Sequence, residues 1–473
     1  MNLSPIISYL DAYICDPTMR TAGRTDERLN AMTEANISKL FQEAFLDGYF
    51  YLTEDFYVMS YNGKRYEKLD KDYIKLVVKT TMAQIGIGIV YCENSPEKIA
   101  KSVLLSLLKK EFFQHDKRYI TFNNCVLEVS TGKQLAHDPK YMSRVVMDFD
   151  YLPNMRFPRW EQFLDEVLPN LEIRLNLQEF CGALLLDRRS YKFEFAAYCT
   201  GNGNNGKSVF WGAVQNMLGD ANSSSFSPTQ LFVSSDKQYN RATADGKIVN
   251  VCDDASKENF SGGDYKAYVS NGEMMARDPY GKPFKVRNAP LLVMCLNEMP
   301  ITTDDSFGHE RRQFIFPFEC TIAPDKVDIM LPSTLNCVES MQAIFNWIYE
   351  GAQRMIANKG KFTVNESMAK AKLDAKLDSN SALRWIRDNG YTVVSKDEAT
   401  PSDWQSVAML HQSYVEACNK AKVPPIALDR FSKILSNNGF VKFRKGVGMG
   451  FYIKQVPMTD EMLEEIASDN CPF

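Results

Sequence analysis

Short apolar runs with few interleaved polar residues predict four strands in the central third of the chain. They are Phe193–Cys199, Lys247–Cys252, Pro290–Leu296 and Gln313–Phe318. Runs of this length are typical of a sheet that is buried on both faces. A helical pattern follows the first run at residues 209–218. The pattern therefore predicts an α/β core.

Other patterns flank this core. A hairpin is predicted around Asn62-Gly63, a second turn at Thr131-Gly132, and helices at 412–418 and 428–439 before two strands at 441–453. The charged end of the 335–375 helical stretch indicates a solvated linker helix. We expect five segments: a mainly helical region at 1–115, a domain preceding the core at 116–190, the core at 191–325, a helical linker at 326–380 and a small domain at 381–473.

Composition narrows the class of protein. The 473 residues are 45% hydrophobic and 24% charged, which excludes a mainly disordered or fibrous chain. The 11 cysteines form no CxxC pair and only 4 histidines are present, so we expect reduced, intracellular thiols. No run of roughly 18 apolar residues predicts a membrane span, and charges in the first thirty residues argue against a secretion signal. The net charge of −4 leaves room only for a local DNA-binding channel.

A glycine-rich loop carries the strongest chemical signal. Residues Gly201–Ser208 match the pattern GxxxxGK[ST], after a predicted strand and before a predicted helix. Such a loop directs backbone N–H groups, and the positive end of the helix, at phosphates. Lys207 is expected to reach the β- and γ-phosphates and Ser208 to ligate Mg²⁺. The predicted ATP-binding residues are Gly201, Asn202, Gly203, Asn204, Asn205, Gly206, Lys207, Ser208 and Val209.

Polar residues at the ends of two later strands complete this prediction. Of the adjacent acids Asp253 and Asp254, one is expected to hold the Mg²⁺-bound water and its neighbour to polarise the attacking water. An acid pair at a strand end is typical of hydrolysing ATPases, although a helix-capping acid is the alternative. Asn297, after the next strand, is expected to sense the γ-phosphate, unless it only forms a turn before Pro300.

Two adjacent arginines, Arg311 and Arg312, stand immediately before the last core strand. In an oligomeric ATPase, an arginine here can reach the γ-phosphate bound by a neighbouring subunit. The alternative is a pair of ordinary surface residues.

Two basic clusters indicate contact with nucleic acid. The first joins cations to an aromatic residue on a predicted hairpin, which suits a single-stranded backbone: Arg277, Tyr280, Lys282 and Lys285. The second lies in a helix–helix–hairpin pattern that resembles a winged helix: Lys433, Lys442, Arg444 and Lys445. A solvated hairpin and a protein-binding wing are the respective alternatives.

The order of these motifs resembles the superfamily 3 helicases, in particular the phage and plasmid primase–helicase group with a poxvirus-type N-terminal region. Further stretches carry the resemblance: Phe122–Gly132, His137–Pro139, Tyr151–Pro153, Trp160–Phe163, Leu177–Gly182, Asn297–Pro300 and Asp305–Gly308. The resemblance implies an AAA+-like P-loop core in a ring, usually a hexamer, that hydrolyses ATP at subunit interfaces and draws one DNA strand through its centre.

The resemblance assigns roles to matching positions. Asp253 takes the magnesium position, Asp254 the catalytic acid, Asn297 the sensor, Lys282 the pore-hairpin cation, and Arg311 or Arg312 the trans-acting finger. Many relatives have Asp-Glu where this chain has Asp253-Asp254, so the water-activating role of the shorter Asp254 is less secure. Residues 1–115 contain no carboxylate cluster of a primase.

The expected function is therefore an ATP- and Mg²⁺-dependent DNA helicase of a phage, plasmid or integrated element. Expected partners are single-stranded and forked DNA, further copies of the chain, and a separate primase or polymerase, in the cytoplasm of a bacterial host and without a membrane. One alternative is a replication initiator that uses ATP as an assembly switch. Another is a monomeric nucleotide kinase, against which the acid pair and the paired arginines argue.

Overall fold

The computed structural model describes residues 34–47, 49–53, 57–69, 72–84, 95–113, 116–253, 255, 262–279, 281–286, 288–297, 299, 311–394, 400, 403–421, 423–446 and 448–455. The chain divides into two compact units, residues 1–151 and residues 152–473. The boundary between the two units falls inside the predicted segment 116–190. The fold mixes helices with sheets, one of which is parallel.

The first unit combines helices with two small sheets. Its described helices are α1 (Glu34–Asp47), α2 (Tyr73–Gln84) and α3 (Ser95–Leu107). One antiparallel sheet has the order β1 (Phe50–Leu52), β2 (Val58–Tyr61), β3 (Tyr66–Leu69). The other has the order β6 (Lys133–Leu135), β5 (Val126–Glu128), β4 (Asp116–Thr121), β7 (Ser143–Val146).

Both turns predicted in this unit are present. Asn62-Gly63 lies between β2 and β3, and Thr131-Gly132 lies between β5 and β6. Gly63 has a φ of 99° and Gly132 a φ of 72°, values that favour glycine. The strand β1 was not predicted separately from β2.

A five-stranded parallel sheet forms the centre of the second unit. Its order is β14 (Gln313–Pro317), β8 (Ala196–Thr200), β13 (Leu291–Leu296), β10 (Val249–Cys252), β9 (Ser223–Ser224). The four predicted strands are present. Burial on both faces is confirmed for β10 and β13, in which every residue is buried, and for four of the five residues of β8, whereas three of the five residues of the edge strand β14 are half-buried. The edge strand β9 was missed because two serines carry no apolar pattern.

Helices and a hairpin surround this sheet. They are α4 (Pro158–Val167), α5 (Leu171–Ala183), α6 (Lys207–Leu218), a π-helical turn (Thr229–Val233), α7 (Lys237–Ala244), α8 (Gly263–Val269) and the strand pair β11 (Met275–Arg277) and β12 (Pro283–Lys285). The predicted helical stretch 160–186 is two helices, because Asn170 caps the N-terminus of α5 by accepting from the N–H groups of Glu172 and Ile173.

The linker differs from the prediction in two respects. It contains a 3₁₀ turn (Pro324–Lys326), α9 (Leu331–Thr334), α10 (Val338–Ala357) and α11 (Glu366–Ser379). The helical stretch breaks after α10, where Gly360 has a φ of 82° and its N–H bonds to the carbonyl of Met355 at 2.7 Å. The prediction of a solvated α11 was wrong for one face, since Ala371, Ala375 and Ser379 recur every four residues and are buried.

The C-terminal part is a small helix-and-sheet assembly. Its elements are α12 (Ser381–Asp388), β15 (Tyr391–Val393), β16 (Trp404–Ser406), α13 (Val407–Ala421), α14 (Leu428–Asn437), β17 (Lys442–Lys445) and β18 (Gly448–Gln455). β18 is the central strand and pairs with β15, β16 and β17. Its core includes Trp385, Tyr414 and Phe431. The short strand β16 was not predicted.

None of the described helices combines the length and apolar character that a membrane span needs.

The crossing of α5 and α10 allows no side chain at two glycines. A Cβ atom on Gly351 would lie 2.0 Å from the carbonyl oxygen of Gln178, and one on Gly182 would lie 2.2 Å from the backbone nitrogen of Ala352. Backbone cannot yield as a flexible side chain can, so these glycines fix the distance between the two helices.

Gly351→Ala is therefore expected to lower the free energy of unfolding by about 3 kcal/mol, because the helices must separate. Gly212→Ala, inside α6, is the matched control, since a Cβ there would meet nothing within 4 Å. That variant should gain up to about 1 kcal/mol from helix propensity. Thermal unfolding measures both changes, and equal stability of the two variants would contradict the packing argument.

Candidate functional site

The loop of residues 201–206, called the glycine loop below, connects β8 to α6. Two of its positions accept only glycine. A Cβ on Gly201 would lie 2.4 Å from the carbonyl oxygen of Phe318, and one on Gly206 would lie 2.5 Å from Cγ1 of Val167. Gly206 also has a φ of 83°, in the left-handed region. The backbone at Phe318 and the side chain of Val167 in α4 therefore lie so close to the loop that they determine its shape.

Neighbouring segments hold the glycine loop at both ends. The N–H of Gly201 donates to the carbonyl of Leu296 at 3.1 Å, and the N–H of Ile322 donates to the carbonyl of Asn204 at 2.8 Å. The buried side chain of Asn205 donates to the carbonyl of Phe318 at 3.3 Å. The loop is therefore positioned by the ends of β13 and β14 rather than by its own residues alone.

Lys207 is the first residue of α6, and its side chain turns back to the glycine loop. Only 6% of the residue is exposed, and its Nζ donates to the carbonyl of Gly201 at 2.7 Å and to Oδ1 of Asn205 at 3.1 Å. Burial lowers the pKa of Lys207, and nearby thiols and the Asp253 carboxylate oppose that effect. Both hydrogen-bond acceptors are neutral, so the ammonium charge is ready to accept an anion.

The N-terminus of α6 opens at the same point. Gly206 is the N-cap residue and no side chain caps the helix. The first N–H groups of a helix have no partner within it, and the helix dipole makes this end positive. Lys207 and the helix end therefore present positive charge to one place, which is the arrangement that binds phosphate.

Three residues of the predicted site, Ser208, Asp253 and Asn297, lie with the glycine loop at one edge of the sheet. β8, β10 and β13 are adjacent and parallel, so Gly201, Asp253 and Asn297 follow the same ends of neighbouring strands. Ser208, Asp253 and Asn297 are exposed there. Asp254 lies outside the described residues, so its predicted role is not examined by the geometry.

The donor set fits magnesium and a nucleotide phosphate chain. Ser208 supplies a hydroxyl and Asp253 a carboxylate, which are the hard oxygen ligands that Mg²⁺ prefers alongside phosphate and water. In the described part of the chain, no group of three or more His, Cys, Asp or Glu residues is placed to hold a metal. A magnesium ion at this edge would therefore share its ligands between Ser208, Asp253, phosphate and water.

The paired arginines lie at the opposite edge of the sheet. Gln313 pairs with Ala196, and the N–H of Ala196 donates to the carbonyl of Arg312 at 2.8 Å. The five residues of β8 separate this edge from the glycine loop by about 16 Å, at about 3.3 Å per residue. Neither arginine side chain is long enough to reach the loop of its own chain.

The two arginines also differ from each other. The side chain of Arg311 is 43% exposed and pairs with Oε2 of Glu194 at 2.8 Å. The side chain of Arg312 is 13% exposed, and its guanidinium donates to Oγ of Ser270 at 2.8 and 3.0 Å. Arg311 is therefore the one that can reach outward, whereas Arg312 ties β14 to the end of α8.

The hairpin cations are likewise unequal. Lys285 pairs with both carboxylate oxygens of Glu273 at 2.8 Å, and Nε of Arg277 donates to the carbonyl of Gly281 at 3.0 Å. Lys282 is exposed at the tip, and among the described residues it has no hydrogen-bond or ion-pair partner. Tyr280 lies outside the described residues. Lys282 is thus the most available cation of the described hairpin.

The C-terminal cations occupy two kinds of environment. Lys433 on α14 and Lys442 and Arg444 on β17 are exposed. Lys445 is half-buried, and its Nζ lies 5.2 Å from the centre of the Trp404 ring and 5.0 Å from that of Tyr452. Lys445 therefore belongs to an aromatic cluster.

One buried residue that positions these elements was missed from the sequence. Arg188 is fully enclosed, and burial lowers its pKa to about 10. Its guanidinium donates to five backbone carbonyls, those of Phe193, Tyr268, Val269, Ala289 and Pro290. It thereby joins the starts of β8 and β13 to the end of α8. In the run Asp187-Arg-Arg-Ser, no sequence signal separates it from the exposed Arg189.

Two family models match the chain. Residues 38–169 match the model described as D5 N terminal like. This match supports a D5-like primase–helicase family. Residues 199–312 match the model of a family of unknown function, DUF5906. Neither model spans half of the chain.

The two matches cover different regions of the chain. The D5-like match ends before the glycine loop, whereas the second match runs from the end of β8 to Arg312 and contains every described candidate of the nucleotide site. The D5-like relationship therefore supports a replication primase–helicase-type protein, and the superfamily 3 assignment stays a prediction.

Two solved structures of the NrS-1 C-terminal region are similar to this chain. The A form apo structure of the NrS-1 C-terminal region is 12% identical, with a TM-score of 0.45, over 86% of this chain and 96% of that one. The apo structure of the NrS-1 C-terminal region (305-718) is 9% identical, with a TM-score of 0.45, over 86% and 95%. A comparison with curated proteins gives no match.

Proposed function

We propose that this protein is an ATP- and Mg²⁺-dependent, ring-forming DNA helicase that acts in replication of a phage, plasmid or related element. The observation that carries the proposal is the buried ammonium of Lys207, held by neutral oxygens at the uncapped start of α6. The exposed Asp253 and Asn297 at the same sheet edge add the acid and the amide that hydrolysis requires. The D5-like match supports the replication setting.

In this proposal each side chain near the loop has one task. Bound Mg²⁺–ATP supplies the phosphoanhydride bond that is cleaved. Lys207 and the N–H groups that open the helix neutralise phosphate charge, and Ser208 and Asp253 hold the metal. Asn297 orients the attacking water by its amide, and Asp254 is assigned the removal of its proton. Residues 201–206 and Val209 complete the cradle.

The finger is assigned to Arg311. It is the more exposed of the two arginines, and a carboxylate at the surface holds it in a fixed direction. Because the length of β8 separates it from its own glycine loop, it can act only on the nucleotide of a neighbouring copy. Arg312 is assigned a positioning role through Ser270.

DNA contact is assigned to the hairpin and to the C-terminal domain. On the hairpin, the main contact is assigned to Lys282, and further contacts are assigned to Arg277, Tyr280 and Lys285. The order helix, strand, strand, helix, helix, strand, strand from α12 to β18 supports a winged-helix domain, in which α14 carries Lys433 and β17 carries Lys442 and Arg444. The same exposed cations would serve the second candidate, a replication initiator that binds an origin and uses ATP to assemble.

The proposed partners follow from these assignments. They are single-stranded and forked DNA, further copies of the chain in a homo-hexamer, and a separate primase or polymerase. The proposed location is the cytoplasm of a bacterial host.

Lys207→Ala should reduce ATP hydrolysis at least a hundredfold, because it removes a preorganised charge next to the transferred phosphate. Lys361→Ala is the control, since Lys361 is an exposed lysine after α10. Phosphate release in the presence of Mg²⁺ measures both variants. Hydrolysis at the wild-type rate by Lys207→Ala would contradict the assignment.

Arg311→Ala should reduce hydrolysis about a thousandfold or more, the size of effect known for arginine fingers. Mixing it with Lys207→Ala should restore part of the rate. Intact loops of the first variant then face intact arginines of the second. Glu194→Gln removes the carboxylate next to both arginines and leaves the guanidinium of Arg311 in place, so it should keep most of the hydrolysis. An absence of recovery in every mixture would contradict action between copies.

Lys282→Ala should remove most of the increase in ATP hydrolysis that single-stranded DNA causes, because an exposed cation at the hairpin tip is lost. Lys285→Ala should have a smaller effect, because Glu273 already neutralises Lys285. Hydrolysis is measured with and without oligonucleotide. A larger effect of the Lys285 variant would contradict the ranking of the two lysines.

A further inference from the structure

The sheet of the C-terminal domain has two different faces. Residues alternate between the faces of a strand, and Phe451 and Ile453 of β18 enter the hydrophobic core. Tyr452 and Lys454 therefore lie on the other face, which is turned away from that core. We call it the outer face of the sheet.

Aromatic rings gather on the outer face. Trp404 of β16 pairs directly with Tyr452, and the ring of Phe443 from β17 lies 5.0 Å from that of Tyr452. All three residues are half-buried, so each leaves part of its ring at the surface. Three rings from three adjacent strands thus form a continuous aromatic strip.

Glycine makes room for this strip. A Cβ atom on Gly450 would lie 2.4 Å from Cε2 and 2.6 Å from Cζ2 of Trp404, so the indole ring lies directly against the backbone of β18. Gly448, on the same face, is the partner of Lys445 in the sheet. The ring of Trp404 is consequently held flat and cannot turn into the core.

Positive charge accompanies the rings. The ammonium of Lys445 lies within 5.2 Å of the centres of both the Trp404 and Tyr452 rings, and Lys454 is exposed on the same face. The nearby carboxylate of Asp403 accepts from the N–H and hydroxyl of Thr400 at 2.7 and 2.6 Å. Flat rings beside flexible ammonium groups suit a chain of alternating bases and phosphates.

We infer that the outer face binds single-stranded nucleic acid, with unpaired bases stacked on Trp404 and Tyr452 and phosphates held by Lys445 and Lys454. Stacking of this kind tolerates any base, because every base has a π face. The site is separate from the exposed cations of α14 and β17, which suit a duplex. The inference deepens the proposed function and rests on it, since a helicase produces unpaired strands next to this domain.

Tryptophan fluorescence gives a direct test on the full-length protein. Trp160, Trp211, Trp347 and Trp385 are at most 8% exposed, whereas Trp404 is half-buried. Adding an oligothymidylate should therefore quench mainly Trp404. Trp404→Leu should remove this quenching and weaken binding of the labelled oligonucleotide roughly tenfold, as expected for one lost stacking contact.

Three further variants separate binding from stability. Trp404→Phe keeps a ring over Gly450 and should restore most of the affinity, and Tyr452→Leu tests the second ring without touching Gly450. Lys445→Gln should lower the salt dependence of binding by about one unit of slope, because one phosphate contact is lost. Circular dichroism confirms that each variant is folded.

Three results would overturn the inference. The first is wild-type affinity of both leucine variants for the oligonucleotide, and the second is equal quenching of Trp404 by a blunt duplex. The third is a change of assembly mass in Trp404→Leu without a change in affinity, which would mean that the face binds another copy of the chain. If single-stranded DNA still stimulates ATP hydrolysis in the wild type, the proposed function stands without this site. If it does not, both fail.

Discussion

The buried charge of Lys207 is the interaction on which the rest of this account depends. Burial of a cation costs free energy unless an opposite charge lies close by, yet the acceptors of Nζ within the described part of the chain are a carbonyl and a side-chain amide, both neutral. The uncapped start of α6 adds positive potential at the same place. The polypeptide therefore builds a positive cradle, with the Asp253 carboxylate as a nearby opposite charge. In the proposed function, a nucleotide triphosphate supplies the anion that this cradle binds, with a bond whose cleavage removes it again.

The parallel sheet then separates the residues assigned to bind the nucleotide from the arginine assigned to complete the reaction. The glycine loop, Asp253 and Asn297 follow the ends of β8, β10 and β13, whereas Arg311 precedes β14 at the opposite edge. A single chain thus carries both parts without being able to bring them together. In the proposed function, assembly of copies resolves this separation. Arg188 and Arg312 link the end of α8, which precedes the hairpin, to the starts of β8, β13 and β14 at the edge opposite the glycine loop.

The sequence predicted those features that a local pattern encodes. Apolar runs with few polar residues became the four central strands, and the spacing of glycines before Lys207 predicted a loop whose close contacts admit no side chain at Gly201 or Gly206. The misses have physical causes. The strands β9 and β16 are too short for a period, and the break after α10 depends on a single left-handed glycine. Arg188 looks like its exposed neighbour, because its five acceptors come from segments distant in the chain. The aromatic strip on the outer face likewise exists only through strand pairing.

Unwinding of a forked duplex by the purified protein tests the central claim most directly. A fork with a single-stranded tail at either the 3′ or the 5′ end, incubated with ATP and Mg²⁺, should lose its paired strand on one of the two substrates while phosphate is released, and a non-hydrolysable analogue should stop both. Intact forks of both kinds, together with no phosphate release above the level of buffer, would contradict the account.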